Sequence, residues 1–142
     1  MNVATVREAI AKKIKDHLAD LRNDDEDFKV QFQVSPYVLT NPTANFIQVF
    51  PSSSNYNTAM GRGHDARSFT IQVATALTSD IGAQKAIDHI LSNDVIPNAL
   101  YAEDATDPWQ DINVESDTGY TRFEKDGSAP LLGVEITVTV IA

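Results

Sequence analysis

Hydrophobic and polar residues alternate most regularly at the end of the chain. Val134, Ile136, Val138 and Val140 fall on one side and Glu135, Thr137 and Thr139 on the other, the period of two that a pleated backbone imposes. A long strand with one apolar face is predicted. Phe69, Ile71, Val73 and Leu77 alternate in the same way with Thr70, Gln72, Ala74 and Ala76, so a strand over 68–77 is expected beside it at the centre of a sheet. Phe28, Val30, Phe32 and Val34 alternate with Lys29, Gln31 and Gln33, which predicts a half-buried strand closed by Pro36. From Ala44 to Phe50 the apolar residues Phe46, Ile47, Val49 and Phe50 occupy both faces, which suggests an inner strand or contact with another subunit. A further extended region begins at Trp109, is interrupted over 115–119 by a turn or bulge, and resumes from Tyr120 to Glu124. Asp126-Gly127 then turns the chain into the last strand.

Elsewhere the period is that of a helix. Val3, Val6, Ile10, Ile14, Leu18 and Leu21 recur at threes and fours, predicting a helix from about Asn2 to Leu21. Either Asn2 or the capping-box pair Thr5 and Glu8 starts it. The acidic run Asn23 to Asp27 is expected to stop it, because like charges repel one another and the negative end of the helix dipole. Lys12, Lys13 and Lys15 crowd its outer side, which reads as a solvated surface with Glu8 and Asp16 at i,i+4 spacing, the alternative being a partner-binding face. Ala83, Ala86, Ile87, Ile90 and Leu91 line a second helix capped by Asp80. Val95 to Tyr101 reads as a short helical turn with Pro97 near its start. The order of elements gives one domain, residues 1–142, of α+β class: a mostly antiparallel sheet with two main helices packed on one face. On the other face Ile47, Val49 and Ile141 are expected to stay partly exposed, and an apolar sheet face of that kind implies an interface. Self-assembly is its simplest cover.

Composition narrows the function classes. The 142 residues are 42% hydrophobic, enough for a core. There is no cysteine, which removes disulfides, thiolate metal sites and a cysteine nucleophile together. The N-terminal residues lack a signal peptide's apolar core and no run is long enough to span a membrane, which predicts a soluble, non-secreted chain with no membrane partner. A net charge of −9 opposes adhesion to nucleic acid and suits a surface that DNA slides past.

Candidate chemistry is sparse. The acidic run at 23–27 lacks the alternating oxygen ligands and the glycine of a calcium loop. Pro51 to Asp65 carries no hydrophobic period, and loops of that length are usually functional or disordered. Its Gly61 and Gly63 are not followed by the Lys-Ser/Thr of a phosphate-cradling loop. His64 and Asp65 are neighbours in sequence, a poor arrangement for a catalytic pair, and no nucleophile is fixed by spacing. No metal, cofactor or catalytic residue is therefore expected. The loop suits contact with a partner: Tyr56, Met60, Arg62 and His64, with Arg67 beside it, are the candidate interface residues, because arginine pairs bidentately with carboxylates.

Three stretches carry a family resemblance. Asp80-Ile81-Gly82-Ala83-Gln84, continuing to Ile87-Asp88 and Ile90-Leu91, resembles a helix start in the tail terminator proteins of long, non-contractile-tailed phages, especially those infecting actinobacteria. Gly119-Tyr120-Thr121-Arg122-Phe123-Glu124 is similar to their aromatic-rich strand, and Leu131-Leu132-Gly133-Val134-Glu135-Ile136-Thr137-Val138 to their Leu-Gly-x-Glu strand. Element order and length agree across nearly the whole chain, with Phe69 where many relatives carry tryptophan. The resemblance implies a structural virion protein: a homo-hexameric ring on the head-proximal end of the tail tube that halts tube polymerisation and presents a docking surface to the head–tail connector. Its partners would be its own copies, the tail tube protein and the connector protein, with DNA only as passing cargo. Assembly in the host cytoplasm follows. The competing classes are another ring-forming virion component, a tail tube subunit or connector stopper, and an enzyme built on His64, Asp65 or scattered carboxylates.

Overall fold

The computed structural model describes residues 1–24, 32–39, 45–55, 66–75, 81–123 and 131–141. Helix α1 spans Val3–Asp24. Asn2 caps it, its Oδ1 accepting the Thr5 amide at 3.1 Å, so the capping-box alternative is set aside. The helix runs past Leu21 through Asn23 and Asp24, and the rest of the acidic run lies outside the described residues.

The strands are β1 (Gln33–Ser35), β2 (Phe46–Asn55), β3 (Ala66–Thr75), β4 (Asp111–Asp117), β5 (Thr121–Phe123) and β6 (Leu131–Ile141), with α2 (Ile81–Ser92) and α3 (Val95–Tyr101) between β3 and β4. They form one sheet in the order β1-β2-β3-β6-β4, and β5 also pairs with β6. Among the described residues only β1 and β2 pair in parallel. As the alternation predicts, β3 and β6 make the centre, in unbroken register from Ala66 opposite Ile141 to Thr75 opposite Leu132. Because β3 covers that edge of β6, β4 and β5 lie end to end along the other. The interruption between them includes a bulge where the register shifts between Val114 and Ser116.

The core lies between one sheet face and the helices. Val6, Ile10, Ile14 and Leu18 of α1, Ile87 and Ile90 of α2, and Val95, Ile96, Ala99 and Leu100 of α3 cluster with Phe69, Ile71 and Val73 of β3 and Val134, Ile136, Val138 and Val140 of β6. Ile47 and Val49 belong to this cluster and are fully buried, which corrects the expectation that they stay exposed on the far face. Their register opposite Val73 and Ile71 fixes the side they take. The sequence could not, because their neighbours Phe46 and Phe50 are also apolar.

The far face is mostly polar rather than apolar. Register aligns Gln48, Gln72 and Glu135 in one row across β2, β3 and β6, and Phe50, Thr70 and Thr137 in the next. Gln48 Nε2 donates to Gln72 Oε1, the Leu39 amide donates to Gln48 Oε1 at 2.9 Å, and the Thr139 hydroxyl donates to Glu115 Oε1 at 2.8 Å. Gln48, Thr70 and Gln72 are buried, so their polar groups must be satisfied within the fold. Ile141 is half-buried on this side.

Two further boundaries differ from the sequence pattern. Strand β2 continues through Pro51 to Asn55, pairing Ser54 with Arg67 and Asn55 with Ala66, so Ser52 to Asn55 are strand rather than loop. A register shift between Pro51 and Ser53 accommodates the proline, which has no amide to donate. The strand expected from Phe28 to Val34 is described only as β1; Phe32 precedes it, half-buried against the core, and 25–31 lie outside the described residues.

Candidate functional site

Of the candidate interface residues, Tyr56, Met60, Arg62 and His64 lie outside the described residues. Arg67 sits in β3 opposite Val140 and Ser54, half-buried. Strand alternation puts it on the helix-facing side with Phe69.

The three resembling stretches meet in one unit. Strand β5 pairs with the start of β6, Thr121 opposite Gly133 and Phe123 opposite Leu131. From the turn before β5, Tyr120 reaches α2, where its hydroxyl lies 2.8 Å from both the Gln84 carbonyl oxygen and Asp88 Oδ1. Burial, then the hydrogen bond to Asp88, pushes the Tyr120 pKa above its ordinary value. Gly119 adopts φ +67°, a left-handed conformation that favours glycine. A Cβ on Gly133 would lie 2.2 Å from the Val73 carbonyl oxygen, so β3 approaches β6 there too closely for any side chain. These residues hold a shape, and that is what a motif without a nucleophile can encode.

The β4 edge concentrates charge. Between Ala86 and Thr121 the sequence holds eight Asp and Glu and no Lys or Arg, so this stretch carries eight of the nine net negative charges. Most of it is α3, the 102–110 loop and β4. An open groove of about 630 Å³ runs along it, lined by Tyr101, Glu103, Asp104, Asp107, Trp109 and Asp111 among others. Asp104 organises the loop: its Oδ1 accepts the Thr106 amide at 2.9 Å and the Thr106 hydroxyl at 2.8 Å, which hold its pKa below the usual carboxylate value.

Lys13 pins this loop to α1. Its ammonium pairs with Asp107 at 3.1 Å, the side chains being 14% and 15% exposed, donates to the Ala102 carbonyl, and lies 5.8 Å from the Trp109 ring centroid. Lys13 is thus a packed tether rather than part of a solvated face, whereas Lys12 pairs with Asp16 at 2.9 Å on the surface as expected. The sequence could not show this, because Lys13 and Asp107 are far apart along the chain.

Two outer amides of β4 are already occupied. Ile112 donates to Asp111 Oδ1 at 3.0 Å and Val114 to the Tyr101 hydroxyl at 2.8 Å, which closes the edge to an added strand. At the opposite edge, Arg7 donates to the carbonyl oxygens of Pro36 and Val49 at 2.7 and 2.9 Å, and its guanidinium stacks 4.7 Å from the Tyr37 ring centroid. Val49 lies just beyond Gln48, the last partner of β1, so the arginine satisfies a carbonyl that the short strand leaves bare. Tyr37 donates to Glu8 Oε1 at 2.9 Å, and Val38 beside it is 59% exposed.

Among the described residues no three His, Asp or Glu side chains are grouped to hold a metal ion, and no helix is long and apolar enough to cross a membrane. No family model and no curated protein matches the chain.

Proposed function

We propose that this protein is a structural component of a phage virion, a tail terminator that forms a ring on the head-proximal end of the tail tube. It ends tube polymerisation, offers the connector a docking surface and lets DNA pass. It carries out no catalytic step. The observation that supports this most is the convergence of the three resembling stretches on Tyr120, whose hydroxyl joins the turn before β5 to α2 while β5 pairs with β6. Stretches that resemble a family separately, and also depend on one another in space, argue for a shared fold more strongly than isolated motifs do. The chain's net charge of −9 accords with a protein that DNA passes without binding.

The test is negative-stain microscopy of the purified protein, followed by addition to purified tail tubes. Closed rings, and tubes that stop growing once the protein is added, are expected. Filaments would identify a tube subunit instead, and monomers that leave tube growth unchanged would refute the proposal.

A further inference from the structure

Resting on the ring reading above, we propose that the Tyr37–Val38 edge of each copy seats in the acidic, aromatic-lined groove on the β4 edge of the next copy. The two surfaces lie at opposite ends of the strand order β1-β2-β3-β6-β4. A contact between two different surfaces on opposite sides of a subunit is heterologous, and its repetition generates a ring when the rotation closes.

The surfaces complement one another in shape and charge. Tyr37 and Val38 are 44% and 59% exposed, an apolar pair projecting just past β1. Arg7 beneath Tyr37 bonds to carbonyl oxygens, and the Glu8 carboxylate that accepts from the Tyr37 hydroxyl offsets its charge, so a positive excess at this edge comes from Lys15. Lys15 is exposed and follows Glu8 by two helical turns, which puts it on the α1 side that faces Tyr37. Facing them across the contact are Tyr101 and Trp109 with Glu103, Asp104 and Asp111. The groove of about 630 Å³ is large enough for a tyrosine and a valine side chain together. Arginine and lysine beside aromatic rings and carboxylates give both ion pairing and stacking. Because the Ile112 and Val114 amides are occupied by Asp111 and Tyr101, the contact is made by side chains and not by continuing the sheet.

The absence of cysteine makes the contact directly testable. Val38→Cys and Ala105→Cys place one thiol on each surface, both at exposed positions. A short bis-maleimide should link a mixture of the two single variants into heterodimers and leave each single variant unlinked. The double variant should give a ladder that ends at the closed ring. Val38→Asp should weaken association by about tenfold or more, the scale for an anchor side chain, with no change in melting. Self-linking of Val38→Cys alone would make the interface isologous and overturn the proposal. Rings in the microscope with no cross-linking of the double variant would refute this contact while the ring reading stands. A ladder running on into open filaments would keep the contact and refute the closed ring, and a protein that neither links nor assembles at high concentration would refute both.

Discussion

Replacing Tyr120 with phenylalanine removes one hydroxyl and its contacts to Gln84 and Asp88. Each such bond contributes about 0.5–1.5 kcal/mol net, so Tyr120→Phe should lower stability by roughly 1 kcal/mol, measured in urea. Because folding raises the Tyr120 pKa, the hydroxyl's contribution is complete below the ordinary tyrosine value of 10.0 and is lost as pH rises through the raised value. The gap between wild type and variant should therefore narrow above about pH 10; a gap that is constant to higher pH would show that folding does not raise the Tyr120 pKa. Lys13 is a second residue whose loss leaves an imbalance, since Asp107 would remain mostly buried without its cation. Lys13→Met should cost about 2 kcal/mol, between the values for an exposed pair and a fully buried one. A loss under about 1 kcal/mol would mean that the 102–110 loop is held by Trp109 packing and not by the ion pair.

Helix α2 is the element whose packing is easiest to test. Ile87 is fully buried in the cluster that also contains Ile71, Val73 and Ile136. Ile87→Ala should destabilise the fold by about 2–5 kcal/mol, the range for truncating a buried aliphatic side chain, with the denaturant midpoint as the measurement. If the loss stays well below that range, the site collapses around the smaller residue and the helix is held mainly by Tyr120. Both helical stripes and the β3–β6 pair were legible in the sequence because one face of each is apolar and the other polar, so the period announces the element. The tail of β2 was not legible, since Ser52 to Asn55 are polar and their pairing with 66–68 depends on register alone. The buried row of Gln48 and Gln72 has the same origin: polar residues in alternation read as a wet face, and only the fold shows that they bond to each other. The α2–β5–β6 unit was partly visible as three separate stretches, but the tyrosine hydroxyl that joins two of them has no sequence signal beyond an aromatic residue after Gly119.

At the scale of the molecule, charge and connectivity make separate predictions about assembly. If the acidic β4 edge meets a cationic one, raising salt from about 0.1 M to about 1 M shortens the screening length from ~10 to ~3 Å and should weaken association without lowering the monomer's melting temperature. The connection between β2 and β3 can be tested apart from that edge. Asn55 and Ala66 are register partners, so the ends of residues 56–65 are already adjacent, and a two-residue Asn-Gly turn can join such strands. Shortening a loop changes closure entropy only modestly. Replacing 56–65 in this way removes Tyr56, Met60, Arg62 and His64 while leaving the β2–β3 pairing intact, so circular dichroism and melting should match wild type. Tail capping should be lost if those residues contact the tube. Ring formation without capping would assign them to the tube and leave the contact between copies to the β1 and β4 edges. Capping at the wild-type level would show that the tube reads another surface.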